Sequence, residues 1–299
     1  MDPKEVRSKL RGPFVPLPTF YKDDLSLDLS ALAEYVEFLC DAGIPVVSPL
    51  GTTGEFYLLT PEEHRAVVRT VVEAARGDTI TLVGASHSST ATAVELAKFA
   101  KESGADAALV TPPYYYHEGD HSIECHYKTV ADEAQIPLVI YHRPGAIVEV
   151  DVFDRLADHP YIVGIKEATG DFGRLIAEII TVGDRLAVIG GGSKRWHLGG
   201  HALGSPGYFV SVGNFVPHIS LEFIAALEAG NLAKARHFAF DVETPWIDCA
   251  IRNGFYRSLK ASIALFGYGT EHMRAPLEPI TAAGREELRE VLVDVGLLK

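Results

Sequence analysis

Short apolar runs alternate along the chain with longer segments whose apolar residues recur at helical spacing. The runs are Val15–Phe20, Val46–Leu50, Thr81–Ser86, Ala107–Pro112, Pro137–His142, Ile162–Glu167, Ala187–Gly191 and Tyr208–Gly213. Most are continuously hydrophobic, as expected for parallel strands covered on both faces. Between them, Thr60–Arg76 places Val67, Val68, Val71 and Val72 on one stripe. Thr60 is a natural cap for that helix, with Pro61 at its first position and Glu63 completing a capping box. Gly43 and Gly104 close the helical segments Leu32–Ala42 and Ala91–Ser103. Eight strands separated by helices predict an α/β fold of the (β/α)8 TIM-barrel type rather than a doubly wound sheet. After Gly213 the pattern is purely helical: His218–Ala229, Leu232–Trp246, Gly254–Phe266 and Gly284–Val295. The first of these closes the last βα unit. The others predict a C-terminal helical extension, giving a barrel over 1–230 and an extension over 231–299.

Composition narrows the function classes. The 299 residues carry a net charge of −13, which disfavours a phosphate backbone as partner. Nucleic acid is therefore not an expected partner, although local Arg and Lys can still dominate a cleft that receives a small anion. Cys40, Cys125 and Cys249 are odd in number and widely spaced, which argues against a disulfide framework or a zinc site. The charged N-terminus lacks the apolar stretch of a signal peptide, and no apolar run nears the ~20 residues of a membrane span. The expectation is a cytoplasmic protein with no membrane contact.

In such a barrel the reactive groups gather at the C-terminal ends of the strands. Lys166 follows the apolar run Tyr161–Ile165 at the end of strand six. Burial lowers a lysine's pKa and frees a neutral amine that attacks ketones to form an imine. The alternative is a lysine paired with Glu167 or another rim carboxylate. Tyr141 ends the preceding strand, where its phenol can relay protons; the alternative is an aromatic filling the upper barrel. Gly51-Thr52-Thr53-Gly54 suits a tight turn whose N–H groups and hydroxyls face a carboxylate, or is a plain βα turn. It does not match a phosphate-binding P-loop, and neither does Gly190-Gly191-Gly192-Ser193-Lys194. Arg143 either clamps a second carboxylate or makes a rim salt bridge. His197 and His201 lack the metalloprotease pattern, and His117, His121 and His126 read as solvated or structural, so no metal site is expected. Trp196 and Trp246 read as packing residues.

Taken together, Gly51-Thr52-Thr53-Gly54-Glu55, Thr111-Pro112-Pro113-Tyr114-Tyr115, Tyr141 and Gly164-Ile165-Lys166-Glu167-Ala168-Thr169-Gly170-Asp171 resemble the dihydrodipicolinate synthase/N-acetylneuraminate lyase family of class I lyases. Order and spacing agree over essentially the whole chain. The resemblance implies a barrel with a helical extension, often assembled as tetramers of tight dimers, so a homo-oligomer is expected. It implies that Lys166 forms the Schiff base and Tyr141 relays protons. Thr53 would link Tyr141 to a tyrosine from the neighbouring subunit, Tyr114 by position. Thr52 and Thr53 would bind the 2-oxo acid's carboxylate, and the backbone carbonyl of Phe209 would face the site.

The synthases carry Tyr-Asn-x-Pro-x-Arg after strand five, and that final Arg binds the second substrate. Here the segment is Tyr141-His142-Arg143-Pro144-Gly145-Ala146. The alanine argues against the synthase reaction. Arg at 143 and Ala at 146 resemble the 5-dehydro-4-deoxyglucarate dehydratase branch, as do the segments Gly51–Glu63, Asn214–Pro217 and Arg274–Leu277. Lys166 is instead followed by Glu-Ala-Thr-Gly-Asp, as in the synthases and lyases. The expected activity is thus dehydration of a 2-oxo-3-deoxy sugar acid through an imine on Lys166, with Arg143 holding the distal carboxylate. No metal or organic cofactor is needed, because the imine is the electron sink. A pyruvate-dependent aldolase or retro-aldol lyase ranks second, the synthase below it, and a non-catalytic barrel that binds a 2-oxo acid last.

Overall fold

The computed structural model describes residues 1–116 and 119–299. Eight strands, β1 (Gly12–Pro16), β2 (Val46–Ser48), β3 (Ile80–Gly84), β4 (Ala107–Val110), β5 (Leu138–His142), β6 (Ile162–Glu167), β7 (Ala187–Gly190) and β8 (Gly207–Phe209), close into a barrel in chain order. All pairs are parallel, and β8 returns to β1 with Phe14 opposite Phe209. The helices are α1 (Pro3–Lys9), α2 (Leu29–Asp41), α3 (Pro61–Ala74), α4 (Thr90–Glu102), α5 (Asp120–Ala134), α6 (Val150–Leu156), α7 (Phe172–Val182), α8 (Lys194–Ala202), α9 (Pro217–Glu228), α10 (Leu232–Arg236), α11 (Thr244–Asn253), α12 (Phe255–Leu265) and α13 (Ala282–Asp294). The fold is the (β/α)8 barrel the apolar pattern predicts.

Alternation along the strands splits the core in two. Val46, Leu82, Leu109, Val139, Ile189 and Phe209 fill the barrel interior. Val47, Val83, Val110, Ile140 and Val188 face outward and pack under the helices. The N-terminal segment, read from sequence only as charged, forms α1. Asp2 caps it by accepting from the Lys4 and Glu5 amides. Its apolar residues Val6 and Leu10, four apart, join the interior cluster.

Three elements differ from the sequence reading. The first strand lies at Gly12–Pro16 rather than Val15–Phe20: it pairs with β8 through Gly12–Phe14 and with β2 through Phe14–Pro16. The last strand stops at Phe209, and Val212–Asn214 form a 3-10 turn. Leu232–Trp246 is not one helix: α10 passes into a π-helical stretch, His237–Glu243, before α11 begins. Pro245 cannot donate to the ladder, and Thr244 turns both its N–H and its hydroxyl to the Ala239 carbonyl. The capping box on α3 is present as predicted, with Thr60 and Glu63 exchanging hydrogen bonds of 3.2 and 3.0 Å.

Candidate active site

Lys166 stands near the C-terminal end of β6, and a local irregularity points it inward. Leu138 pairs with Ile162 but Val139 pairs with Gly164, so β6 carries one extra residue. Val163 lies in the interior cluster, whereas Ile165 lies in the outer one. Regular alternation from Val163 would have sent Lys166 toward the helices; the bulge reverses the phase. Lys166 therefore sits beside Tyr141, its partner in register.

The lysine is nearly sealed, at 7% exposure, and pairs with no carboxylate among the described residues. Its Nζ lies 4.0 Å from the centre of the Tyr141 ring and 3.6 Å from that of Phe209. Burial lowers its pKa to about 7, so near neutrality much of it is unprotonated and nucleophilic. Glu167, the alternative partner weighed from sequence, lies on the other face of β6. Its carboxylate accepts from the Thr169 amide and hydroxyl and faces His142 across the strand pair.

Tyr141 is buried, and its hydroxyl lies 3.2 Å from Thr52 Oγ1. Burial raises its pKa, while the bond to Thr52 and the charge of Arg143 pull it down. The hydroxyl on Tyr141 is thus that of Thr52, not the Thr53 hydroxyl expected from the resemblance. Both threonines sit in the Gly51–Glu55 turn and are half-buried. Tyr114 is not brought to Lys166 of its own chain. It lines a cleft of about 410 Å³ with Phe56, Tyr57, His64 and Leu96, and its ring packs edge-on to Phe56 at 6.1 Å. Phe209 brings its ring against Lys166.

Arg143 follows β5 in the turn Arg143-Pro144-Gly145-Ala146. Arg143 and Ala146 exchange backbone hydrogen bonds of 3.2 and 2.9 Å and so stand face to face. The guanidinium donates only to its own loop, at Pro144 O, and meets no carboxylate among the described residues. Burial raises the pKa of Tyr57, Tyr141 and Tyr256, and the Arg143 charge partly offsets that rise at each, which puts these phenols within reach of its field. The sequence reading identified neither Tyr57 nor Tyr256, which lies on α12 of the extension.

His142, between Tyr141 and Arg143, points out of the barrel. Its Nε2 lies 3.1 Å from Glu178 Oε1 on α7, and both side chains are fully buried. Desolvation lowers the His142 pKa to about 4 and raises that of Glu178 to about 8, so burial disfavours charge on either group. His197 is also buried and stacks 4.7 Å from Tyr208; His121 and His126 lie on α5, and His117 falls outside the described residues. No group of three or more His, Cys, Asp or Glu placed to hold a metal is found among the described residues.

Residues 9–294 match the model of the dihydrodipicolinate synthetase family. The chain belongs to that family. It is 32% identical over 304 residues to the 4-hydroxy-tetrahydrodipicolinate synthase of Anaplasma marginale (strain St. Maries), covering 97% of each chain. It is 34% identical over 291 residues to that of Rhodospirillum centenum, covering 96% of this chain and 99% of the relative. The dihydrodipicolinate synthase of Aquifex aeolicus superposes with a TM-score of 0.90 at 31% identity, over 96% of this chain and 99% of that one. YagE of E. coli K12, a family member solved in complex with pyruvate, superposes with a TM-score of 0.91 at 25% identity, over 96% and 99%. As a member of the dihydrodipicolinate synthetase family, the protein is a Schiff-base, pyruvate-dependent lyase at family level. Three of these four relatives carry synthase names, and none lends support to the dehydratase branch expected from Arg143 and Ala146.

Proposed function

We propose that this protein joins pyruvate, or a close 2-oxo acid, to a carboxylate-bearing aldehyde through an imine on Lys166, or cleaves such an adduct. The observation that carries the reading is the sealed, unpaired Lys166, with its pKa near 7, between Tyr141 and Phe209. Its neutral amine attacks the ketone carbon, and loss of water from the carbinolamine leaves the imine. A proton then leaves the adjacent methyl, giving an enamine whose carbon attacks the aldehyde. Hydrolysis releases the product and the free lysine. Tyr141, backed by Thr52, is placed to carry these protons. The Thr52–Thr53 turn receives the 2-oxo acid's carboxylate.

Arg143 supplies the second carboxylate site. From sequence, the alanine at 146 weighed against the synthase reaction. Arg143 and Ala146 face each other across one turn, so we propose that an arginine at 143 takes over the carboxylate contact that one at 146 makes in the synthases. The missing arginine therefore no longer counts against carbon–carbon chemistry, the type named in the synthase relatives. Dehydration of a 2-oxo-3-deoxy sugar acid remains the second reading, favoured by the Arg143–Ala146 pattern itself. It shares the imine and enamine and differs in expelling the β-hydroxyl.

A panel of carboxylate-bearing aldehydes with pyruvate, and of 2-oxo-3-deoxy sugar acids alone, decides between them. Condensation, or pyruvate release without water loss, is expected. Water loss without pyruvate release would replace this reading with the dehydratase. Absence of a borohydride-trapped adduct on Lys166 with every 2-oxo acid tried would overturn both.

A further inference from the structure

Lys260 and Glu55 face each other at 2.7 Å, each 1% exposed, in the seam between the helical extension and the barrel. Glu55 ends the turn that carries Thr52 and Thr53. Its φ is 54°, and Leu50, just before the turn, has φ of 60°. Side chains rarely adopt this left-handed region, so the turn is strained at both ends. It is also hemmed in. A Cβ on Gly54 would meet Leu50 N at 2.7 Å and Leu17 O at 3.1 Å, and a Cβ on Gly84 of β3 would land on the Leu50 carbonyl. The turn has little room to move inside the barrel, so what fixes its far end matters.

That far end is held from outside. Glu55 Oε1 takes Lys260, while Oε2 accepts from Tyr21 Oη at 3.1 Å. Lys260 also donates to His272 O at 2.9 Å and lies 4.4 Å from the Tyr21 ring centre. Thr19 Oγ1 donates to Gly54 O at 2.7 Å. Arg274, 4.5 Å from the same Tyr21 ring, grips Glu63 on α3 at 2.6 and 2.8 Å. A buried ion pair is a poor way to gain stability over apolar packing of the same volume, and its better-attested use is to select one conformation.

We propose that Lys260 and Glu55 are positioning residues for the substrate's carboxylate: the pair holds the strained turn in the shape that presents Thr52 and Thr53. The inference rests on the reading above that this turn receives the 2-oxo acid. Without Lys260, the Glu55 carboxylate must reach water, which requires the turn to swing outward. Thr52 then leaves Tyr141, and the carboxylate site opens.

The test is borohydride trapping as a function of pyruvate concentration, with the adduct on Lys166 read by intact mass, in wild type, Lys260→Met and Glu55→Gln. Circular dichroism checks that each variant is folded at the assay temperature. The half-saturating pyruvate concentration is expected to rise about tenfold or more in both variants, with adduct still forming at saturation. A purely structural pair would lower the melting temperature and leave half-saturation of the folded protein unchanged. Half-saturation within twofold of wild type in either folded variant overturns the proposal. Glu55→Gln keeps the shape of the side chain and serves if Lys260→Met does not fold. If wild type itself traps no pyruvate, the reading of Lys166 falls and this proposal falls with it. If wild type traps and a folded variant matches it, this proposal alone falls.

Discussion

Lys166 owes its chemistry to what surrounds it, two aromatic rings and no counter-charge. Because burial lowers its pKa to about 7, the attacking amine is scarce in acid and plentiful in mild base. The rate of imine formation with pyruvate is expected to rise through pH 7 and level off about one unit above it. Stopped-flow or quenched trapping across pH 5.5 to 9 checks this, and a flat profile would contradict a titrating lysine. The residues at the strand ends were legible in sequence because each closes an apolar run and breaks its pattern. Lys260 left the same trace, a cation within the buried stripe of Leu259, Ala261 and Ile263, but its partner Glu55 is too far along the chain for spacing to reveal. Tyr57 and Tyr256 left none: each is an ordinary aromatic until the fold sets it beside Arg143. The exchange of Thr53 for Thr52 on Tyr141 is of the same kind, since two adjacent threonines in a turn differ only in where the turn points them.

At the level of elements, the bulge in β6 decides which side of the strand is chemical. It was not legible, because a continuously apolar run reads the same in either phase. Behind the bulge, α7 is clamped to β5 by His142 and Glu178, and this clamp should titrate. Burial raises the Glu178 pKa to about 8, so the folded state holds a proton that the unfolded chain releases near 4.5. A raised carboxyl pKa contributes stability that is lost as pH climbs through the folded value. Between pH 6 and pH 9 wild type should lose stability from this group. Glu178→Gln, which cannot ionise, should flatten that decline. Urea midpoints at the two pH values measure it, and equal slopes in both proteins would show that Glu178 is already charged at pH 6. The π-helical stretch before α11 also escaped the sequence reading, although Pro245 was the signal for it.

For the molecule as a whole, the barrel was readable from the count and order of apolar runs, while the docking of the extension was not. No helix among the described residues is long and apolar enough to cross a membrane. Tyr115 and Tyr116 stand 91% and 71% exposed next to Tyr114, which gives an assembly a surface to use. The resemblance puts Tyr114 beside a neighbouring subunit's Thr53 and Tyr141; we propose that it completes that neighbour's site, so Tyr114→Phe and Lys166→Ala should each be impaired alone and regain activity when mixed and allowed to exchange subunits. Hybrids would pair an intact lysine with an intact tyrosine. Sedimentation should show a dimer or larger species, and failure of a confirmed mixed dimer to regain activity would place Tyr114 outside the chemistry. The tie from Glu55 to Lys260 also sets an order of events in time. During synthesis the chain emerges N-terminus first, so the turn at 51–55 is made early and its anchor arrives late. A ribosome-bound chain exposed only through β8 would have every strand of the barrel, and Lys166, yet no finished place for a carboxylate. If Lys260 holds the turn as proposed, the site waits for α12, about 200 residues after the turn it steadies.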